Sequence, residues 1–275
     1  MVDNESGDGT AELVDREFGG RVELIRAGSN LGFGRANNLA LAALDGDFVL
    51  LLNPDCEIEP GALEALLALI ERRHEVGMVG PRLEQPDGEF DHAAARAFPT
   101  PTSALGHFSG IGRRSEPGGG GPLAAYRAAA DLPGPIDAIN GAFMLIRRAA
   151  LDQVGHFDER YWMYMEDLDL SWRFAISGWI SWYEPSVRVG HHKGGTAGRP
   201  RGVRLNRAFH AGMRRFYRDH YAARRGPLTN LAVEAAISAK LAISLLRSAP
   251  TLSRRALGAR VGGTVIRRRC WARHP

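Results

Sequence analysis

The sequence predicts an α/β protein: a mostly parallel sheet flanked by helices, followed by a helical, basic C-terminal extension. Three observations carry this expectation. Short apolar runs alternate with helical patterns through about the first 85 residues, as β–α units do. Phe48-Val49-Leu50-Leu51-Leu52 is a continuous apolar run stopped by Asn53-Pro54-Asp55, the pattern of a strand buried on both faces. The 275 residues are 44% hydrophobic and 24% charged, which excludes a disordered, collagen-like or disulfide-stapled chain and allows one large domain or two modest ones.

Taken in order, Val22–Ile25 reads as a short strand and Gly34–Leu44, rich in Ala and Leu, as a helix. Phe48–Leu52 is the buried strand. Pro60 then opens a helix through Arg73, at a position where proline is favoured. Val76–Gly80 is the next strand, ended by Pro81. Residues 86–135 carry Pro86, Pro99, Pro101, Pro117, Gly118–Gly121, Pro122, Pro133 and Pro135 with little periodicity, and read as a long, partly mobile insertion over one face, of the kind that is either functional or disordered. Order returns with a strand at Ala142–Ile146, then Arg147-Arg148 and a short helix. Glu166–Ile176 is a helix, Trp179–Tyr183 and Val187–Val189 are short strands, and Val203–Tyr221 is a helix. The apolar run 228–246 contains Glu234 and Lys240, which favours an amphipathic helix on a membrane surface or on the body over a spanning one. The expected division is 1–222 for the α/β domain and 223–275 for the helical, basic segment.

Charge is divided as sharply as structure. Residues 201–275 carry a net +15 and residues 1–200 a net −11, which together give the +4 of the whole chain. An acidic body suits a cation and polar ligands, and a basic tail suits an anionic surface. Arg247, Arg254, Arg255, Arg260 and Arg267–Arg269 are placed either to face lipid phosphates or to form a solvated basic tail, with no nucleic acid expected. The two cysteines, Cys56 and Cys270, lie far apart without metal-ligand spacing, which fits a reduced, cytoplasmic compartment.

Four clusters carry candidate chemistry. Asp55 follows the buried strand, at the end of a sheet where α/β proteins bind ligands; it is placed either to hold Mg²⁺ or Mn²⁺ or to form a turn or helix cap. Glu166-Asp167-Leu168-Asp169 opens a helix behind the aromatic run Tyr161-Trp162-Met163-Tyr164. These acids either include a general base or complement the helix dipole. Asn30-Leu31-Gly32-Phe33-Gly34 enters a helix whose first N–H groups can meet phosphate oxygens, a weak signal alone. His191-His192-Lys193 follows a strand, and reads either as metal and diphosphate ligands or as a solvated loop.

The ordered series Val2-Asp3-Asn4, Asn30-x-Gly32-Phe33-Gly34-x-Ala36-Asn37-Asn38, Leu52-Asn53-Pro54-Asp55, Val79-Gly80-Pro81, Gly141-Ala142-Phe143-Met144-Leu145, Gly155-x-Phe157-Asp158-Glu159, Met165-Glu166-Asp167-x-Asp169-Leu170 and His192-Lys193 resembles family-2 glycosyltransferases. The nearest match is the bacterial rhamnosyltransferase-like branch. The resemblance implies a GT-A, Rossmann-like fold and an inverting, metal-dependent transfer from a nucleotide sugar, dTDP-rhamnose before a UDP-sugar such as UDP-galactofuranose. It implies Asp167, with Glu166 beside it, as the catalytic pair. It implies Asp3, Asn30, Gly32, Arg35, Asn38 and Asn53 for the nucleotide and donor, and Gly141, Ala142, Trp162 and Tyr164 for the sugar and acceptor pocket. Asp55 and His192, or His191 one residue away, would hold Mg²⁺ or Mn²⁺. The acceptor implied is a cell-wall glycan or a polyprenyl-linked one, met at the inner face of the cell membrane. Family members carry a strand and a helix ahead of the Val-Asp-Asn motif, so the functional polypeptide is expected to begin upstream of Met1, the alternative being an inactive, truncated nucleotide-binding remnant, and Asp3 of this chain is expected to lie on a frayed terminus.

Overall fold

Residues 1–99, 131–192 and 202–248 are described by a computed structural model. In chain order the elements are β1 (Val2–Asp3), α1 (Thr10–Phe18), β2 (Ile25–Arg26), α2 (Phe33–Leu41), β3 (Phe48–Leu52), β4 (Cys56–Ile58), α3 (Ala62–Arg72), β5 (Val76–Glu84), β6 (Ala95–Arg96), β7 (Gly134–Ile136), β8 (Ala138–Ile139), β9 (Phe143–Arg147), α4 (Arg148–Val154), α5 (Glu166–Ile176), β10 (Ile180–His191), α6 (Val203–His220) and α7 (Pro227–Ser248).

The central sheet has six strands, in the order β3-β9-β5-β10-β4 with β7 on β10. The α/β class holds, but the sheet is mixed. β10 runs parallel to β5, whereas β9 lies antiparallel to both β3 and β5, and β4 and β7 lie antiparallel to β10. β3 and β5 therefore point the same way, as a β–α–β unit requires. The inversion comes from β9, which enters antiparallel between them after the long insertion, a placement that no local pattern predicts. β1 and β2 pair in parallel as a separate two-stranded sheet.

Alternation along β9 shows how the core divides. Phe143 and Leu145 join Leu66, Ile70, Val79 and Leu83 under α3, while Met144 and Ile146 join Leu41, Leu51, Leu170 and Phe174 under α2, α4 and α5. Helices thus cover both sheet faces, each contributing its apolar stripe. A third cluster, Tyr161, Met165, Leu168 and Phe216, seats α6 on α5.

Several boundaries differ from expectation. The strand predicted at 22–25 is Ile25–Arg26, which pairs in parallel with Val2–Asp3 of β1. The helix after Pro60 begins at Ala62, since Gly61 is left-handed at φ 86°. β5 does not stop at Pro81 but continues to Glu84, and the two short strands predicted around 179–189 are one strand, β10. Both differences have one cause. The β5·β10 register shifts between Glu184 and Arg188, opposite Pro81 and Arg82, and an irregularity of this kind accommodates a residue without an N–H. The edges of the predicted insertion form β6 and β7; residues 100–130 lie outside the described residues.

α7 packs along α6 through polar contacts. Glu234 accepts from Arg214 Nε at 2.7 Å and Arg218 Nε at 2.5 Å, Tyr217 Oη donates to Asn230 Oδ1 at 2.6 Å, and Ser244 Oγ donates to Asn206 Oδ1 at 2.9 Å. Leu228, Leu231, Ile243 and Leu246 face outward, exposed. Pro227–Leu246 is long and apolar enough to cross a membrane by length and composition, with mean hydropathy 1.3.

Candidate active site

Gly141 and Ala142 are the hub of the site. Asn53 N–H donates to Ala142 O at 2.8 Å and the Cys56 thiol meets the same oxygen at 3.4 Å, which ties the β3–β4 turn carrying Asp55 to this corner. On its other side Gly141 N–H donates to Asp167 Oδ2 at 3.3 Å. Gly141 also lies under the Phe33 ring, where a Cβ would come within 3.0 Å of ring atoms, so the α2 entry is drawn to the same point. Asn140 holds the corner rigid: its Oδ1 accepts from Ala142 N–H at 2.8 Å and its Nδ2 donates to Ala93 O at 3.1 Å.

Glu166 and Asp167 begin α5 just after two consecutive non-glycine residues in the left-handed region, Tyr164 at φ 69° and Met165 at φ 71°. Such geometry persists only where packing enforces it, and the T-shaped contact of Tyr164 with Phe209 and the burial of Met165 do so. Asp167 accepts from Leu168 N–H at 2.8 Å and, besides Gly141, from Arg96 Nη2 at 2.5 Å. Glu166 is buried, and its Oε2 makes no hydrogen bond among the described residues. Burial, followed by the adjacent Asp167 charge, pushes its carboxyl up to about 8. Asp169, the third acid of the motif, is structural: it binds Arg173 Nε at 2.9 Å and His220 Nε2 at 2.8 Å, joining α5 to α6.

At the opposite side, β4 and β10 pair so that His191 stands across from Cys56. His191 Nε2 is 3.6 Å from Asp55 Oδ1, and its Nδ1 is 3.1 Å from Asp91 Oδ2. The ligand atoms of Asp55, Cys56 and His191 all lie within 4.8 Å of one another. A carboxylate and an imidazole suit a hard divalent ion. The thiol does not: burial, then the Asp55 charge, pushes Cys56 up to about 12, so it stays protonated at neutral pH. His192, the residue favoured by motif register, turns away and pairs with Glu57 Oε2 at 3.1 Å. Strand alternation decides this, since neighbouring side chains on β10 leave opposite faces. His191 is thus the histidine beside Asp55; Lys193 lies outside the described residues.

Asp3 is not on a frayed end. It is 8% exposed on β1, its Oδ1 accepts from Ser6 N–H at 3.2 Å, and its carbonyl accepts from Ala27 N–H at 2.9 Å. The next residue binds the predicted donor loop: Asn4 Oδ1 accepts from Leu31 N–H at 2.8 Å and its Nδ2 donates to Gly32 O at 3.1 Å. Asn30 caps Gly32 N–H through its Oδ1 at 3.2 Å. Gly32, at φ 86°, sits directly against the Trp162 carbonyl, where no side chain fits. Phe33 N–H donates to that carbonyl at 3.0 Å, and Trp162 Nε1 reaches Asn30 O at 3.4 Å. The Trp162 ring carries the Arg204 guanidinium 4.0 Å from its centre.

Two predicted donor residues make contacts within the chain. Asn38 Nδ2 donates to Phe157 O at 2.9 Å while its Oδ1 accepts from Phe157 N–H at 3.1 Å, and Arg35 pairs with Glu159 at 3.4 Å. Asp91, Arg96 and Asn140 are site residues that sequence reasoning missed. Asp91 and Arg96 lie inside the proline-rich stretch whose aperiodicity hid them, and a buried Asp or Arg has no local signature.

The family described as Glycosyl transferase family 2 matches residues 1–155. The N-acetylglucosaminyl-diphospho-decaprenol L-rhamnosyltransferase of Mycobacterium tuberculosis (strain H37Rv) is 36% identical over 217 residues, 72% of this chain and 67% of that protein. Rhamnosyltransferase WbbL of Escherichia coli K12 is 27% identical over 175 residues, 60% of this chain and 62% of WbbL. Two solved structures share the GT-A fold. GalNAc-T7 with UDP, GalNAc and Mn²⁺ superposes at TM-score 0.52 and 16% identity, over 78% of this chain and 40% of that one. A Pyrobaculum calidifontis mannosyltransferase in complex with GDP-Man and Mn²⁺ superposes at 0.51 and 17%, over 94% and 66%.

Proposed function

The chain belongs to glycosyl transferase family 2, and from that premise we propose that this glycosyltransferase moves L-rhamnose from dTDP-rhamnose to a hydroxyl of a cell-wall or lipid-linked glycan, with inversion. The observation that carries the donor is the 36% identity to the mycobacterial L-rhamnosyltransferase over 217 residues.

The acceptor oxygen attacks the anomeric carbon as the bond from that carbon to the diphosphate breaks. Asp167 takes the hydroxyl proton as the new bond forms, and no sugar–enzyme intermediate is needed. Backbone N–H groups of Gly141 and Leu168 aim its carboxylate. A divalent ion, Mg²⁺ or Mn²⁺, when bound by Asp55 and His191, supplies charge neutralisation for the departing nucleoside diphosphate. Asp3 receives the nucleotide base, and the Asn30–Gly32 loop latched to Asn4 closes over it. Gly141, Ala142, Trp162 and Tyr164 border the sugar and acceptor.

Residues 1–222 form the transferase domain, and 223–275 bring it to the inner face of the cell membrane, where a polyprenyl-linked acceptor is presented. The outward apolar side of α7 and the +15 charge of residues 201–275 support that placement.

The purified chain, supplied with Mg²⁺ or Mn²⁺ and a panel of nucleotide sugars, should transfer or hydrolyse dTDP-rhamnose fastest. Preference for UDP-galactofuranose would replace the donor within the same chemistry. No turnover of any donor would sink the activity assigned here.

A further inference from the structure

We propose that Asp91 is a positioning residue, which locks the His191 ring so that its Nε2 lone pair faces the cation held with Asp55. The inference rests on the reading of Asp55 and His191 as cation ligands. His191 is 6% exposed and bridges two carboxylates, with Nδ1 3.1 Å from Asp91 Oδ2 and Nε2 3.6 Å from Asp55 Oδ1. A neutral imidazole carries one N–H, and a carboxylate only accepts. With the proton on Nδ1 and donated to Asp91, Nε2 keeps its lone pair, the form in which histidine binds a metal.

Asp91 is built to hold that orientation. It is 2% exposed, its Oδ1 accepts from Ala93 N–H at 3.0 Å, its N–H donates to Leu83 O at 2.9 Å, and its carbonyl accepts from Ala94 N–H at 2.8 Å. A buried carboxylate so anchored is costly to place and fixes its partner's direction tightly. Carboxylates behind ligating histidines fix ring orientation and tautomer, and their loss typically weakens metal binding by about 10–100-fold. A purely architectural Asp–His pair would also cost stability when broken, so stability alone does not distinguish the two roles; cation affinity and tautomer do.

The test is a titration of the full chain with Mn²⁺ alone, with free Mn²⁺ counted by electron paramagnetic resonance. Asp55→Ala and His191→Ala should weaken binding. Asp91→Asn, which keeps the size and an acceptor for Ala93, should weaken it about 10–100-fold. Adding Asp91→Asn to His191→Ala should change affinity less than about twofold, since both act through one ring. Nitrogen-15 histidine spectra of the unsubstituted chain need no variant to fold, and should show His191 as the Nδ1–H tautomer. An Nε2–H tautomer overturns the proposal. So does Mn²⁺ affinity in Asp91→Asn within about twofold of the parent while His191→Ala is weakened, an outcome that leaves the cation site standing. If Asp55→Ala and His191→Ala both bind Mn²⁺ normally, the cation reading falls and the role of Asp91 with it.

Discussion

Glu166 and Asp167 are adjacent carboxylates in unlike surroundings. Asp167 accepts hydrogen bonds from Gly141, Leu168 and Arg96, whereas Glu166 Oε2 has no hydrogen-bond partner among the described residues and its carboxyl is raised to about 8 by burial beside Asp167. Asp167→Asn keeps the shape and removes the proton acceptor, so transfer should fall about 10²–10⁴-fold while donor binding is retained. Steady-state rates alongside calorimetric donor binding check this; near-normal turnover would move the base elsewhere. For Glu166 the linkage has a definite sign. Its folded value lies above its unfolded one, 4.5, so the unfolded chain gives up this proton first and stability falls as pH rises from about 4.5 to about 8. Glu166→Gln should therefore raise Tm relative to the parent, by an amount that grows across that window and vanishes below it. Melting curves from pH 4 to 8.5 measure the difference, and a constant offset would contradict it.

Among the elements, α2 shows a polar residue serving architecture. Asn38 grips both the N–H and the C=O of Phe157, 119 residues away, and Phe157 packs edge-on against Phe33 at 5.8 Å. The start of α2 is thereby aligned with Trp162 and Gly141. Asn38→Ala leaves two backbone groups of Phe157 without their partner, which should cost about 1–3 kcal/mol by urea unfolding. Donor affinity should weaken less than stability does. If stability is unchanged and donor affinity alone collapses, Asn38 touches the donor directly.

For the whole molecule, the telling feature is the apolar outer side of α7. Its charged and amide residues, Glu234 and Asn230, face α6, while Leu228 and Leu246 stand 81% and 78% exposed on the other side. Ile237 is buried as well, so α7 is apolar on both sides, whereas a surface helix of a water-soluble protein keeps its outer side polar. Leu231→Glu with Ile243→Glu should leave the α6 contacts intact and reduce binding to anionic phospholipid vesicles at least about tenfold, from two lost apolar insertions. Added salt should weaken the parent's binding as the basic segment is screened. Equal sedimentation of both proteins, or indifference to salt, would remove α7 and the basic tail from the membrane contact.

What the sequence determined by itself was local. The run Phe48–Leu52, the helix Glu166–Ile176 and the apolar strand before Arg147 are written in periodicity, and each forms within a residue or so of its expected bounds. The family and the order of its motifs were legible too, because glycine, asparagine and paired acids stand at fixed separations. Tertiary structure alone decided which of those residues meet. It inserted β9 antiparallel between β3 and β5, carried β5 and β10 past their prolines through a shared irregularity, and chose His191 over His192 by strand alternation. It also brought Asp91 to His191 and Arg96 to Asp167, across 100 and 71 residues. Periodicity reports which face a residue takes within its own element. Pairing between distant elements depends on strand order and register, which are settled only when the whole core is packed.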